Sequence, residues 1–213
     1  MSVKPVLPLI ITLTASATTL GADITLEDFN NNSFTTNGGF TFDSFDGNVT
    51  ETADSVIIDV SGFGGMGNGL ALQDIDATTH LLKITLRTVA GNVAGDFRII
   101  LVDEDGDDSG PGLGNEDYQF LFSLAGVGET DFVTLEQKLD DPGPVFRQKS
   151  FGSTNDGDSV QNYGLVLWQL QSAFGSTDRL HIEVDKIEIV EIPEPGSLGL
   201  IGLGLLSLIS RRR

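Results

Sequence analysis

The sequence predicts an all-β domain, an antiparallel β-sandwich of the jelly-roll type. Apolar and polar residues alternate along most of the chain, which is the pattern of half-buried strands. The alternating segments are short, and clusters of Gly, Asp, Asn and Pro separate them. No comparable stretch has the period of an amphipathic helix. Roughly nine or ten short strands joined by such loops are typical of a β-sandwich.

The alternation defines the strands in chain order. The predicted strands span residues 40–43, 55–60, 70–73, 80–89, 97–103, 118–124, 132–137, 163–171 and 180–190. The predicted turns include residues 30–32, 62–69, 103–115, 140–144 and 153–158. Segment 97–103 is apolar on both faces near its middle, so we expect it to be a central strand. In segment 118–124, Tyr118, Phe120 and Phe122 share one face, which we expect to be core.

The last predicted strand contains a break in parity. Ile182 and Val184 share one face of this strand. The apolar series resumes at Ile187 and Ile189, one residue out of step. A β-bulge at residues 185–186 would restore the register.

Residues 1–22 have the composition of an export signal. Lys4 precedes an apolar stretch over residues 6–13, and small residues that suit signal peptidase stand before Ala17 and again at Ala22. The stretch is too short for a membrane-spanning helix. We therefore expect a signal peptide that the Sec machinery exports and that signal peptidase removes after Ala17 or after Ala22.

Residues 191–213 carry a Pro-Glu-Pro triplet, an uncharged Gly- and Leu-rich run and a terminal arginine cluster, in that order. The triplet is Pro193, Glu194 and Pro195, and the cluster is Arg211, Arg212 and Arg213. We expect the run to form a short hydrophobic helix, below the ~20 residues that a full span needs. Its arginines would stay on the cytoplasmic side. This arrangement resembles the PEP-CTERM sorting signal.

The PEP-CTERM resemblance implies a route out of the cell. The C-terminal segment would hold the exported protein transiently in the inner membrane. An exosortase, a membrane protease, would then process it near the Pro-Glu-Pro triplet and release it to the cell surface or the extracellular matrix. The alternative is an ordinary C-terminal anchor with a chance triplet.

The remaining residues, 23–190, are enough for one domain with a hydrophobic core. The chain has 31 acidic residues against 12 basic ones and a formal net charge of −19. Such a charge repels phosphate backbones, so we expect no nucleic-acid partner. The sequence contains no cysteine, which excludes disulfides, thiolate metal sites and cysteine nucleophiles.

The two ends of the predicted domain carry a second resemblance. The segment LHIEVDKIEIV closes a domain that opens with TLEDF, and together they resemble the ends of galactose-binding-like, jelly-roll carbohydrate-binding modules. The resemblance implies that the terminal strands pair and that acidic residues near them hold a structural calcium ion. The candidate ligands are Glu27, Asp28 and Asp185. Solvated surface acids are the alternative for these residues.

The densest acidic cluster, residues 103–108, follows the expected central strand. Adjacent carboxylates repel one another unless a cation neutralises them. Asp103, Asp105 and Asp107 are therefore further candidate calcium ligands. The spacing is not that of an EF-hand, because Asp108 stands where the sharp-turn glycine is required. An ordinary exposed loop is the alternative.

A glycan-binding surface needs an aromatic platform beside amide or charged groups. Trp168 is the only tryptophan, and its apolar neighbours on the same strand face favour a core position. The opposite strand face would then be the candidate surface, with contributions from neighbouring strands. The candidate ligand-binding residues are Gln169, Gln171, Tyr163, Gln119 and Arg98, together with Trp168 if it is not core.

Catalytic motifs are missing from the sequence: it has no Gly-x-Ser-x-Gly elbow and no His-Glu-x-x-His motif. We therefore expect an exported protein that binds exopolysaccharide and is not an enzyme. A structural, calcium-stabilised matrix protein without a small ligand is the first alternative. A polysaccharide hydrolase is the second.

Overall fold

The computed structural model describes residues 23–73, 75, 77–103, 116–140, 148–149 and 165–192. These residues form two antiparallel sheets packed face to face, which confirms the predicted all-β sandwich. Sheet 1 contains β1 (Ile24–Glu27), β3 (Val49–Glu51), β4 (Val56–Ser61), β6 (His80–Thr88), β9 (Val133–Lys138) and β12 (Arg179–Glu191). Sheet 2 contains β2 (Phe40–Asp43), β5 (Gly64–Gln73), β7 (Asp96–Asp103), β8 (Glu116–Ser123), β10 (Gln148–Lys149) and β11 (Leu165–Ser172).

The helical part of the described chain is small. It consists of α1 (Ser33–Thr36), which is a single turn, and two 3-10 turns at Asn30–Asn32 and Ala77–Thr79. Within the described residues, the strands are therefore joined mainly by turns and short loops, as the lack of helical periodicity predicts.

The strand orders place β12 at the centre of sheet 1 and β7 at the centre of sheet 2. Sheet 1 runs β3-β4-β12-β6-β9, with β1 also paired to β12, and sheet 2 runs β10-β8-β7-β11-β5-β2. Strand β7 thus lies between β8 and β11, which confirms that segment 97–103 is central. Strands β1 and β12 pair, as the resemblance to carbohydrate-binding modules implies for the two terminal strands.

The bulge in the last strand is confirmed. The register between β12 and β6 shifts between Val184 and Lys186. Val184 and Ile187 are both fully buried, so the shift returns the second half of the strand to the core face. The 13-residue strand β12 can therefore contribute to the core along its whole length.

The core lies between the two sheets and follows the strand parity. Tyr118, Phe120 and Phe122 on β8 are buried, which confirms the predicted aromatic core face. Trp168 on β11 is also fully buried, and its ring lies 6.3 Å from the rings of Phe29 and Phe34 between centroids. Trp168 is therefore a core residue and does not reach the outer face of the sheet.

The prediction of a turn over residues 62–69 was wrong, because most of that segment belongs to β5. Sequence reasoning treated its glycines as turn formers, whereas the structure uses them for close approach. A Cβ atom at Gly65 would lie 2.6 Å from the ring of Phe42, and one at Gly67 would collide with the carbonyl oxygen of Trp168. The short strands β3 and β10 were also not among the predicted ones.

The glycines of β5 give a test of this packing. Gly67→Ala should lower the free energy of unfolding by about 1–3 kcal/mol, because the new methyl group meets a backbone oxygen that cannot rotate away. Gly69→Ala is the matched control: it lies two residues along the same strand, and a methyl group added there would have nothing within 4 Å. Urea unfolding of the two variants measures the difference. Equal stability of the two would contradict the close approach.

Candidate functional site

The outer face of sheet 2 is ordered into rows of side chains that run across five strands, and Ile100 and Gln119 at its β7–β8 end are buried. Cross-strand pairing places Phe42, Gly65, Gln171, Arg98 and Leu121 in one row, from β2 through β5, β11 and β7 to β8. A second row, offset by two residues along each strand, contains Phe40, Gly67, Gln169, Ile100 and Gln119. Directly opposed residues lie on the same face of a sheet. The register therefore brings four predicted ligand-binding residues together: Gln169, Gln171, Gln119 and Arg98.

Aromatic rings form one end of this surface. Phe40 and Phe42 stack with ring centroids 6.5 Å apart, and Phe63 lies 6.1 Å from Phe42. Phe174 contacts Phe63 at 5.2 Å, and 74% of its surface is exposed. Sequence reasoning looked for an aromatic platform at Trp168 and missed these four residues. The signal was present in the alternation Phe40-Thr41-Phe42, which puts both rings on one face of a strand.

Amide groups lie next to the aromatic end. Gln171 Nε2 donates a 2.6 Å hydrogen bond to Gln169 Oε1, and both side chains are half-buried. Gly65 and Gly67 lie between these glutamines and the phenylalanines in the register and carry no side chain. The ring of Phe42 and the side chain of Gln171 therefore meet over Gly65, and Gln169 lies over Gly67, so the aromatic rings and the amides are close neighbours.

The cationic end of the surface is formed by β7 and β8. Arg98 is half-buried, and its Nη1 atom donates to Gln119 Oε1 at 3.4 Å. Gln119 is 4% exposed, so it lies deeper than the two glutamines of β11. Tyr163, the remaining predicted ligand-binding residue, lies outside the described residues.

The outer face of sheet 1 has the opposite character. Its charged side chains pair with one another: Lys83 with Glu136, Arg87 with Glu183, Arg179 with Asp59, and Lys186 with Glu188. The Arg179 guanidinium donates hydrogen bonds to both oxygens of Asp59 and lowers the pKa of that carboxyl. A face on which most of the described charges pair with one another is well suited to contact with water. Sheet 2 therefore carries the candidate site.

The predicted calcium ligands lie where β1 meets β12. Glu27 Oε1 accepts a 2.5 Å hydrogen bond from Ser33, and both Glu27 and Asp28 border a pocket of about 320 Å³ between β1 and β5. Hydrogen bonds from Asn30 lower the pKa of Asp28. Burial raises the pKa of Asp185, nearby Lys186 opposes that rise, and the charges of Asp54, Glu183 and Asp28 add to it.

These acids do not assemble into a metal centre in the part of the chain that is described. No group of three or more His, Asp or Glu side chains there is arranged to hold a metal ion. The side chain of Asp103 and the whole of Asp105 and Asp107 lie outside that part. Calcium binding at either set of residues therefore stays a prediction.

The C-terminal signal is identified by comparison with known families. Residues 191–213 match the PEP-CTERM protein-sorting motif. This match implies an exported protein that an exosortase sorts to the cell surface. Pro193, Glu194, Pro195 and the terminal arginines lie outside the described residues, as do the predicted signal peptide and the predicted C-terminal hydrophobic helix. Among the described residues, no helix is long and apolar enough to cross a membrane.

Comparison with solved structures shows the fold of the domain. A family 11 carbohydrate-binding module from Clostridium thermocellum, in complex with a β-1,3-1,4-mixed-linked tetrasaccharide, is 13% identical with a TM-score of 0.52, covering 80% of this chain and 96% of that one. A family 30 carbohydrate-binding module is 12% identical with a TM-score of 0.52, covering 80% and 99%. An agarase is 11% identical with a TM-score of 0.50, covering 80% of this chain and 25% of the agarase. No curated protein sequence matches the chain. The domain thus has the sandwich fold of carbohydrate-binding modules.

The raised pKa of Asp185 predicts a pH-dependent effect of its removal. A carboxyl whose folded pKa lies above its unfolded value favours the folded state below the unfolded pKa, and that contribution is lost as pH rises through the folded pKa. Asp185→Asn should therefore raise Tm at pH 7 in the presence of a chelator. The gain should shrink below about pH 4, where the wild-type carboxyl is protonated as well.

The matched control for this prediction is Asp178→Asn, which removes an exposed carboxylate from the loop before β12. Differential scanning calorimetry from pH 3 to pH 8 measures both variants. A lower Tm for Asp185→Asn at pH 7 with chelator present would contradict the prediction. Repeating the series with millimolar calcium tests the metal directly, because a ligand role for Asp185 requires that its removal abolish any calcium-dependent rise in Tm.

The sorting motif gives a prediction that is independent of the fold. Replacing Pro193, Glu194 and Pro195 by alanines in a host that has an exosortase should leave an unprocessed, membrane-held protein, whereas the wild type is released. Fractionation and the mass of the mature C-terminus measure the outcome. A matched triple alanine substitution in the exposed turn of residues 129–131 controls for general effects on export. Unchanged release of the motif variant would identify the segment as an ordinary anchor.

Proposed function

We propose that the protein is exported and binds a polysaccharide at the cell surface or in the extracellular matrix, through the outer face of sheet 2. The observation that carries the proposal is the composition of that face, where phenylalanine rings and glutamine amides lie side by side over Gly65 and Gly67. The sorting motif supports a location where polysaccharides are available. The structural likeness to modules whose names state carbohydrate binding supports the ligand class.

The chemistry of the face suits a sugar. The C–H faces of a pyranose ring pack against aromatic rings, and its hydroxyl groups need hydrogen-bond donors and acceptors nearby. Phe40 and Phe42 would supply the apolar contact. Gln169 and Gln171 each offer a donor and an acceptor on one amide, so they match hydroxyl groups in either orientation.

The shape of the face favours a chain over a single sugar. Neighbouring strands lie about 4.8 Å apart, so a row across β2, β5, β11, β7 and β8 extends for roughly 19 Å. A polysaccharide lying across the strands would contact phenylalanines, glutamines and Arg98 in turn. This orientation uses the whole row, whereas a monosaccharide would use one end of it.

A polysaccharide hydrolase has weaker support. Glycoside hydrolysis requires two carboxyl groups that flank the scissile bond. Among the described side chains on the outer face of sheet 2, Asp96 at the start of β7 is the single carboxylate. The likeness to an agarase covers only a quarter of that enzyme. The proposal is therefore a binding protein without catalytic activity.

A structural matrix protein stabilised by calcium is the other candidate. The repulsion among Asp185, Asp28 and Asp54 favours it, because a bound cation would relieve that repulsion. A large calcium-dependent rise in Tm combined with no affinity for any polysaccharide would support this role over glycan binding.

The glutamines provide the first test of glycan binding. Gln169→Ala combined with Gln171→Ala should weaken binding to a polysaccharide array by at least about tenfold, because each lost hydrogen bond contributes roughly 0.5–1.5 kcal/mol. Thr85→Ala combined with Thr134→Ala is the control, since it removes a hydrogen-bonded pair from the outer face of sheet 1. Equal binding by both double variants would exclude the glutamine face.

The phenylalanines provide a second, independent test. Phe42→Ala should reduce polysaccharide affinity by about tenfold, because stacking on an aromatic ring contributes on the order of 1 kcal/mol or more. Phe132→Ala is the matched control, because Phe132 is 39% exposed and lies against Arg87 on the other sheet. Isothermal titration with the best polysaccharide from the array measures both. A larger loss for Phe132→Ala would place the site on sheet 1.

A further inference from the structure

We propose that the polysaccharide bound by sheet 2 is acidic, and that Arg98 binds the carboxylate of a uronic acid residue. This inference rests on the proposed function, since it assigns the ligand class of the same face. It follows from the position of one guanidinium, its incomplete hydrogen bonding and the absence of an ion pair between it and any described carboxylate.

Arg98 is the fourth of the five residues in the proposed binding row, counted from Phe42. On β7 it is directly opposite Gln171 of β11 on one side and Leu121 of β8 on the other. Its neighbours along the same face of β7 are Asp96 and Ile100. A ligand that spans the row from Phe42 to β8 would pass over the guanidinium.

The guanidinium is poorly satisfied by the protein. It has five N–H donors, and its described hydrogen bond is the 3.4 Å contact from Nη1 to Gln119 Oε1. The Nε atom is buried and has no hydrogen-bond partner in the structure. Leaving a buried donor unpaired costs free energy, and the protein itself does not satisfy this guanidinium.

The other arginines of the described chain show what Arg98 lacks. Arg179 donates two hydrogen bonds to Asp59, and Arg87 donates two to Glu183. Asp96 is the one described carboxylate on the face of Arg98, and it forms no ion pair with it. Arg98 is thus the one described arginine without a carboxylate partner, and it is the one on the candidate ligand face.

A carboxylate is the group that best completes this arrangement. The planar guanidinium presents donors in a fork that matches the two oxygens of a carboxylate, and such pairs are about twice as strong as neutral hydrogen bonds. A sugar hydroxyl would satisfy one donor, whereas a carboxylate would satisfy two donors and the charge. The arrangement therefore favours a glycan with uronic acid residues over a neutral glycan.

The acidity of the whole chain does not oppose this assignment at short range. The formal net charge is −19, but interactions between exposed charges are largely screened beyond about 8 Å at physiological ionic strength. Within the row, the residues flanking Arg98 are uncharged glutamine and leucine side chains. Asp96, two residues along the same face of β7, is the described carboxylate nearest to Arg98 on this face, and it leaves the guanidinium without an ion pair.

The experiment compares each acidic polymer with its own neutral form. Titration of the full-length protein with polygalacturonate and alginate, and with their carboxyl-reduced forms, measures the preference for carboxylates. Mixed-linkage β-glucan and a xylan free of glucuronic acid substituents serve as unrelated neutral polymers. A chelator is present throughout, so that binding through a bridging divalent cation does not contribute. The proteins are the wild type, Arg98→Gln and Lys138→Gln, and the last removes the same charge from an exposed position on β9.

The expected result is a preference of at least about tenfold for one acidic polymer over its reduced form, from the strength of a charge-assisted pair. Arg98→Gln should remove that preference, and Lys138→Gln should retain it. Equal wild-type affinity for acidic and reduced polymers would overturn the inference while leaving glycan binding intact, as would an acidic preference that survives in Arg98→Gln.

Two further outcomes are also decisive. If the wild type binds none of the acidic and neutral polymers, the proposed function fails and this inference fails with it. If Arg98→Gln does not fold, as its melting curve would show, the wild-type comparison alone decides, because it requires no variant. Arg98→Lys then tests geometry, since it retains the charge without the fork and should recover only part of the preference.

Discussion

Both edges of β12 are occupied, and the rest of the sandwich depends on this pairing. One edge pairs with β6, while the other pairs with β4 along its first half and with β1 along its second. The apolar side chains of both halves of β12 must also point into the core. The bulge between Val184 and Lys186 makes this possible, because it shifts the register by one residue. The extra residue of the bulge is Asp185, which lies between the part of β12 that pairs with β4 and the part that pairs with β1. The same constraint that aligns the sheet therefore creates the partly buried, repulsive environment of this carboxyl.

The pairing of β12 also separates the domain from the sorting segment. Strand β12 ends at Glu191, and the backbone N–H of Ile192 donates to the carbonyl of Thr79. The sorting motif begins at residue 191, so its first residues still belong to the sheet. Processing near residues 193–195 would leave each strand pair of β12 in place. The domain can lose its C-terminal segment without losing a strand.

The alternation of apolar and polar residues predicted those features of the fold that depend on strand parity alone. The core aromatics of β8, the central position of β7 and the bulge in β12 each follow from which residues share a face. The location of Gln169 and Gln171 opposite Trp168 followed in the same way. Parity does not determine the order of strands in a sheet. The neighbours of β11 were therefore not predicted, and only the register of the structure places Arg98 and Phe42 in one row.

The aromatic end of the surface was missed for a related reason. Glycines in sequence indicate turns, so residues 62–69 were assigned to a loop and the strand beside Phe42 was not predicted. The role of Gly65 depends on a ring from a different strand lying over it, and such a contact between residues distant in sequence leaves no local pattern.

The glycines of β5 also make the outer face of sheet 2 different from that of sheet 1. Glycine weakens a strand interior because it loses the most backbone freedom on folding and packs no side chain. On the outer face of sheet 1, the equivalent positions hold Lys83, Thr85 and Arg87, which pair across strands. No such side chain fits at residues 65 and 67, because a Cβ atom there would meet the ring of Phe42 or the carbonyl oxygen of Trp168. This strand therefore gives up intrinsic strand propensity so that Phe42, Gln169 and Gln171 can pack closely over it.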